Sequence, residues 1–566
     1  MRDNLPPRSK AVSPKKTDVK VLLLYAVFAV LLVVTLSHKM AYFQDEILSY
    51  CLANNNEVEV KMDYLAKNVI GNETKMKIMQ GVPYIPASSA FARVTSVPAD
   101  GRFNFANVWK NQADDTHPPL FYLLLHIVCS FFPGVFSKWF AGIINIVFAL
   151  GILFVSRKLV RQLTDNSFIL TVVSLMFVFS SAMLNSAACL RMYVMATFFV
   201  TLQTYLFLKQ SDKPVTREFC VKIAVVTFLG TLTHYYCIFY IVLLSIVFGI
   251  QRLKGKDYKG LAYFSAAQIS GGLAACIVFP AVLAHIFHGA RGTSEFMPNV
   301  MRLSDYHLRL SVYWQAVNGE LFGNMLWVMA FVLIISVGWN YLRVKKNIKE
   351  ETVSALPVEK YILALVPPVC YFFLTAKLTP ILTKGVYGDI KYMYPIFAVV
   401  LCVISASVFS ALAILLSGKA AKILTVFLAL CVTAGSCFCT DWDSRFLYRE
   451  YKQQLFIQQL YSDADCLCFY INLIPKDMYY LSHYRSLATF PAEAFRENAG
   501  RLRSILADGR TNKLVICIAR QNGINTDLFM AQLNPELQKY NITRTPLGRS
   551  EGDEDGNIYH LERISY

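Results

Sequence analysis

The residues in this chain best equipped for chemistry recur as short ordered clusters of acids, imidazoles and cations. "FQDEILSY" sets Asp45 and Glu46 side by side, and "DDTHPPLFY" carries Asp114, Asp115 and His117. Further along come Asn185 and Arg191 in "NSAACLRMY", His234 in "THYYCIFY", and Lys384, Asp389, Lys391 and Tyr392 in "KGVYGDIKYMYP". Carboxylates can accept a proton or hold a hard divalent cation, and Arg, Lys and His can stabilise an anion by charge-assisted hydrogen bonds. Each cluster also has a plain structural explanation. Asp45 as N-cap and Glu46 in the first turn would open an amphipathic helix bearing Ile47, Leu48, Cys51 and Leu52. Asp115 and Thr116 before Pro118 and Pro119 read as another helix start. Arg191, Lys384 and Lys391 suit snorkelling to lipid headgroups, and His234 suits a bond to a neighbour. These structural explanations leave one fact over: acids, imidazoles and cations all recur on one side of the chain's apolar segments.

Those segments define the class. Of 566 residues, 55% are hydrophobic and 16% charged, yet the net charge is +17. Mean hydropathy is +0.42. This is the composition of a polytopic membrane protein. The basic residues collect in short connectors, "SRKLVRQ", "QRLKGKDYKG" and "LRVKKNIK", as the positive-inside rule expects of cytoplasmic loops. With apolar spans on both sides of every such cluster, no nucleic-acid partner is expected.

The N-terminal tail, residues 1–20, holds Arg2, Arg8, Lys10, Lys15, Lys16 and Lys20 and is expected to stay cytoplasmic. Residues 21–37 then cross outward as an uncleaved first span. The apolar run at 120–132 is only ~20 Å long as a helix, against a hydrocarbon core of ~30 Å. It is expected to lie in the interface, within a first outer loop of residues 38–139. Spans then follow at 140–155, 168–184, 192–208, 221–233, 236–250, 261–286, 325–342, 361–375, 393–416 and 423–439. That gives about eleven crossings and puts every chemical cluster at the outer mouth. Pro280, Pro367 and Pro368 are the obvious kinks. After the membrane domain, 21–439, the tail at 440–566 alternates strand-like runs ("DCLCFYIN", "NKLVICIAR", "GNIYHLER") with a helical stretch, "PAEAFRENAGRLRSILADG". A small extracytoplasmic α/β domain is expected there, with Cys466 and Cys468 on one strand face.

In their order, "FQDEILSY", "DTHPPLFYLLLH", "LRMYVM", "THYYCIFY" and "KYMYP" resemble the motifs of GT-C glycosyltransferases of the family 39 type. That family includes aminoarabinose and lipopolysaccharide-core sugar transferases and protein O-mannosyltransferases. The likeness spans roughly residues 21–416, with two departures. Cys189 stands where an acid usually precedes the "RMY" arginine, and Lys391 where an arginine is often seen. The resemblance implies an inverting enzyme that moves a sugar from a polyprenyl-phosphate donor to a hydroxyl of an envelope glycan, lipid or protein. It would sit, with membrane lipids around it, as a multi-pass protein of the plasma membrane.

On that reading Asp45 is the general base, oriented by Glu46, while Asp115 holds His117 or the acceptor. Arg191, His234, Lys391 and Tyr392, with help from His117, receive the donor phosphate. No organic cofactor is expected, and Asp45 with Glu46 are candidate ligands for a divalent Mg or Mn ion. The rival classes are a lipid or sugar transporter, which predicts internal repeats and broken helices, and a noncatalytic envelope scaffold.

Overall fold

The computed structural model describes residues 19–55, 85–287, 300–302, 304–345, 358–379, 386–416, 418–442, 456, 459–470, 475–492, 495–507, 513–519, 526–549 and 556–563. The first helix, α1 (Val19–Ser37), is an uninterrupted apolar run. Then comes a layer of shorter helices: α2 (Gln44–Asn54), α3 (Ala87–Thr95), preceded by the two-residue strand β1 (Ile85–Pro86), α4 (Phe105–Asp114) and α5 (Leu120–Ser130). Pro119 sets the start of α5, whose 11 residues reach only ~17 Å, too short to cross.

The bundle proper continues with α6 (Lys138–Leu163), α7 (Ser167–Val178), α8 (Ser181–Ala188), α9 (Tyr193–Gln210), α10 (Arg217–Thr233), α11 (Tyr236–Lys254), α12 (Tyr258–Val278) and α13 (Ala281–Phe287). It is completed by α14 (Tyr306–Gln315), α15 (Leu326–Lys345), α16 (Val358–Leu378), α17 (Tyr394–Leu415) and α18 (Gly418–Cys439). Because α17 is apolar on every side, it becomes the central helix, buried along nearly its whole length.

Among the described residues, seven helices are long and apolar enough to cross a bilayer, or nine spans if each of two bent pairs counts as one. The expected spans at 192–208 and 221–233 correspond to α9 and α10, which fall below that standard. Buried Thr197, Thr201, Gln203 and Thr204 dilute α9, and α10 is shorter, at 17 residues, and opens on Arg217, Glu218 and Lys222.

Two expectations about helix continuity need correcting. The span expected at 168–184 is broken into α7 and α8 with a 45° bend, where Ser180 caps α8. The span expected at 261–286 stops at Val278, because Phe279 turns extended before Pro280 and α13 starts anew. A further bend lies just before the span expected at 325–342, where the segment Tyr306–Leu321, ending in a π-helical turn at Ala316–Leu321, meets Leu326–Ser336 at 79°. By contrast Pro367 and Pro368 lie inside α16 without ending it.

The tail alternates strands and helices. Its strands are β2 (Asp465–Tyr470), β3 (Ser486–Pro491), β4 (Lys513–Ala519), β5 (Ile542–Arg549) and β6 (Gly556–Arg563), with helices α19 (Pro475–Leu481), α20 (Phe495–Ala507) and α21 (Thr526–Gln538) between them. The sheet order is β1-β3-β2-β4-β6-β5, parallel for β3-β2-β4 and antiparallel elsewhere, so the chain between α2 and α3 supplies one edge strand. Strand alternation divides the sheet cleanly. Leu467, Phe469, Ile516 and Ile518 pack under α20 and α21, whereas Cys466, Cys468, Tyr470, Val515 and Cys517 join the core continuous with the membrane helices. On that second face Tyr479 of α19 donates to the Met40 carbonyl at 3.0 Å and packs edge-on to Tyr42.

Candidate active site

The acidic pair begins α2, and its two carboxylates have different surroundings. Phe43, in extended conformation, is the N-cap, so Asp45 does not take the capping place the sequence suggested. Glu46 is the capping carboxylate: Oε2 accepts from Phe43 N at 2.8 Å and lies 2.9 Å from Lys39 Nζ. Its Oε1 accepts from Leu190 N at 2.8 Å. Both Glu46 and Lys39 are buried; their ion pair ties α2 to the segment that follows α1, and the Leu190 N–H bond ties α2 to the turn between α8 and α9. Asp45, one residue earlier, keeps a carboxylate that is 22% exposed. Its Oδ2 accepts from Lys391 Nζ at 2.6 Å and stands 3.9 Å from Arg191 Nη2.

Arg191 is 1% exposed and sits in the tight turn between α8 and α9. Its Nη1 donates to the Asp45 carbonyl and to Ser49 Oγ, both at 2.8 Å, and to Tyr122 Oη at 3.4 Å. Burial works against its charge, yet Tyr122, Asp45, Tyr193 and Asp115 more than offset this and hold the group above its ordinary value. Arg191 Nη2 lies 3.2 Å from His117 Nε2. A guanidinium only donates, so Nε2 must accept, which assigns the imidazole proton to Nδ1, facing Asp115 Oδ2 at 2.6 Å. Here the geometry departs from the sequence reading. The His117 edge that was to reach a phosphate is turned to Arg191, and Asp115 and His117 form a backing pair for the guanidinium.

The remaining groups arrive from helix starts. His234 caps the end of α10, and its Nδ1 accepts from Tyr236 N at 3.1 Å, which leaves the proton on Nε2. Its ring lies 6.2 Å from that of His117, 5.2 Å from Tyr193 and 6.5 Å from Tyr392. Lys391 sits in a 3-10 turn, Val386–Met393, just before α17, with Nζ 4.7 Å from the Phe43 ring centre. Tyr371 of α16 donates to the Tyr392 carbonyl at 2.9 Å, and Tyr236 stacks on Tyr392 at 5.0 Å, which fixes that turn. The N-terminal ends of α2, α5, α9, α11 and α17 therefore converge here. Their partial positive charges add to Arg191 and Lys391 and favour an anion.

Asp45, Asp115, His117, Arg191 and Lys391 thus form one contacting network, with His234 and Tyr392 joined through ring contacts. Asn185 is buried within α8, and Asp114 is exposed outside the network. Lys384 and the side chain of Asp389 lie outside the described residues. Sequence reasoning missed Lys39, Ser49, Tyr122, Tyr193, Tyr236 and Tyr371. Ser49 was within reach, being one turn beyond Asp45 on the same helix face.

The pair Asp45 and Glu46 does not suit a divalent cation. Both Glu46 oxygens face donors, and Asp45 Oδ2 sits between an ammonium and a guanidinium. Among the described residues no group of three or more His, Cys, Asp or Glu side chains is arranged to hold a metal.

No family model matches the sequence, and no curated protein matches it. Among solved structures the chain is similar to ArnT from Cupriavidus metallidurans bound to undecaprenyl phosphate, with a TM-score of 0.49 and 12% identity over 96% of this chain and 98% of that one. It is also similar to the Archaeoglobus fulgidus oligosaccharyltransferase in complex with Zn and sulfate (TM-score 0.41, 10% identity, 83% and 67% covered). A third likeness is to AglB from Archaeoglobus fulgidus with an inhibitory peptide and a dolichol-phosphate (TM-score 0.41, 9% identity, 88% and 70% covered).

Proposed function

We propose that this chain is a GT-C glycosyltransferase that moves a sugar from a polyprenyl-phosphate donor to an acceptor hydroxyl on the extracytoplasmic side of a membrane. The observation that carries this reading is the meeting of one part-exposed carboxylate, Asp45, with two cations, Lys391 and Arg191, drawn from segments far apart in the chain. The order and identity of the sequence motifs support it independently. A site with a base and cations side by side suits a displacement in which a proton leaves one oxygen while negative charge grows on another.

In the proposed step the acceptor oxygen attacks the anomeric carbon on the face opposite the phosphate. Its proton passes to Asp45 as the new carbon–oxygen bond forms. The bond from the anomeric carbon to the phosphate oxygen breaks, and its electron pair leaves with the polyprenyl phosphate. Lys391 and Arg191 carry that charge, with the helix starts adding to the field and His234 Nε2–H and Tyr392 completing the anion site. Asp115 and His117 act through Arg191. Lys391 has two roles in this scheme. When the donor phosphate draws its ammonium away, Asp45 loses its counterion, and a carboxylate without its cation is the stronger base.

A transporter remains the second reading, because the bent pairs at residues 167–188 and 306–336 are broken helices of the kind transporters use. The convergence of acid and cations at helix ends favours transfer. Mass spectrometry of purified protein incubated in liposomes with lipid-linked donor and acceptor tests the two. A transferase forms the new glycosidic linkage itself, whereas a transporter changes only the sidedness of the donor lipid and forms none.

A further inference from the structure

Asn145 lies in α6, among Ile144, Ile146 and Val147, and is fully buried. A side-chain amide in a membrane helix is costly unless its hydrogen bonds are met within the bundle. Its Nδ2 donates to two backbone carbonyls, those of Ala187 at 3.0 Å and Cys189 at 2.6 Å. Both belong to the end of α8, where terminal carbonyls have no helical partner. The Cys189 carbonyl also accepts from Arg191 N at 2.7 Å, and Leu190 N donates to Glu46. The turn from 187 to 191 is therefore held from opposite sides, by Asn145 on α6 and by Glu46 on α2. Arg191 follows directly from that turn.

We propose that Asn145 is a positioning residue for Arg191, setting the course of the α8–α9 turn so that the guanidinium faces the anion site. The inference rests on the reading of Arg191 as a phosphate-binding cation. The plain competitor is that Asn145 only glues α6 to α8. Under that alternative, its removal would lower stability without any specific link to Arg191.

A double-mutant cycle separates these, with undecaprenyl phosphate as the probe, bound to the full-length protein in nanodiscs. Asn145→Leu keeps the heavy-atom count and branching and removes both donors. We expect it to weaken binding about tenfold in the otherwise native chain, the scale of two lost hydrogen bonds, and to cause no further loss in an Arg191→Lys background. Equal weakening in both backgrounds, or unchanged binding in the native background, overturns the proposal. If Arg191→Lys alone leaves binding unchanged, the reading of Arg191 fails and this inference with it, a result distinct from failure of Asn145 alone. Should Asn145→Leu not fold, Asn145→Ser, which keeps one hydroxyl donor but cannot span both carbonyls, carries the same comparison.

Discussion

Lys391 holds its ammonium 2.6 Å from the Asp45 carboxylate, joining two residues separated by 346 positions. The pair lies beside a buried arginine, and the Asp45 side chain keeps some exposure. A lysine in this place can serve the carboxylate or an arriving phosphate, but not both at full strength. Substituting Lys391→Met is expected to lower kcat/KM for sugar transfer by about 10²-fold, the scale of removing one donor from a charge-stabilising site. Steady-state kinetics on purified protein checks this, and a variant with native kinetics would remove Lys391 from the mechanism.

The Asp115 and His117 pair predicts a graded series. His117→Ala removes the acceptor facing Arg191 Nη2 and is expected to reduce transfer about tenfold, whereas His117→Gln retains an acceptor oxygen and should recover part of the loss. Equal activity in the two variants would show that backing Arg191 is not the role of this ring.

Glu46 and Lys39 form a buried pair, their side chains 0% and 1% exposed. Breaking it with Glu46→Gln is expected to destabilise the protein by ~3–5 kcal/mol, because an ammonium is left buried without its counterion. The double variant Glu46→Gln with Lys39→Met should recover much of that loss. Thermal unfolding in detergent reads both, and a double variant as unstable as the single one would contradict the pairing.

The tail is expected to be inseparable from the membrane domain. Its sheet buries Cys466, Cys468, Tyr470, Val515 and Cys517 in the same core as the bundle, and Tyr479 reaches Met40, five residues before Asp45. Deleting residues 440–566 would expose that face. The expected outcome is aggregation or loss of the monodisperse peak in size-exclusion chromatography, rather than a stable, active membrane domain.

Because both Glu46 oxygens and Asp45 Oδ2 face cations or backbone donors, these two residues predict no dependence of transfer on a divalent ion. Activity measured before and after chelation with EDTA is expected to be unchanged. A loss restored by Mg or Mn would require ligands other than the ones the pair presents.

Much of the architecture was legible because membrane spans announce themselves by continuous apolar runs, and α1, α6, α11, α17 and α18 follow theirs closely. Breaks were less legible. Pro280 ends a helix where the preceding residue turns extended, but Pro367 and Pro368 stand inside α16, where the surrounding bundle holds the chain helical. The break at Ser180 has no proline at all. Its cap comes from a serine that sequence alone cannot distinguish from the other hydroxyl residues buried in the bundle. In the site, residue types and their common end of the bundle were readable, but partners were not. Asp45 and Glu46 part company through both local and distant contacts: one keeps its side chain partly exposed, and the other turns inward to Phe43 N and Lys39 nearby and to Leu190, 144 residues away. Tyr371 and Asn145 carry no motif, since their role lies in backbone carbonyls brought to them by the fold.

The central claim is that Asp45 is the base of a sugar-transfer reaction. The most direct test is to express Asp45→Asn in cells lacking the native chain, confirm that it is folded and in the membrane, and follow the sugar-bearing acceptor by mass spectrometry. The account predicts that the product made by the native chain falls by about 10³-fold, as for loss of a general base. Product at the native level from a folded Asp45→Asn protein would contradict it.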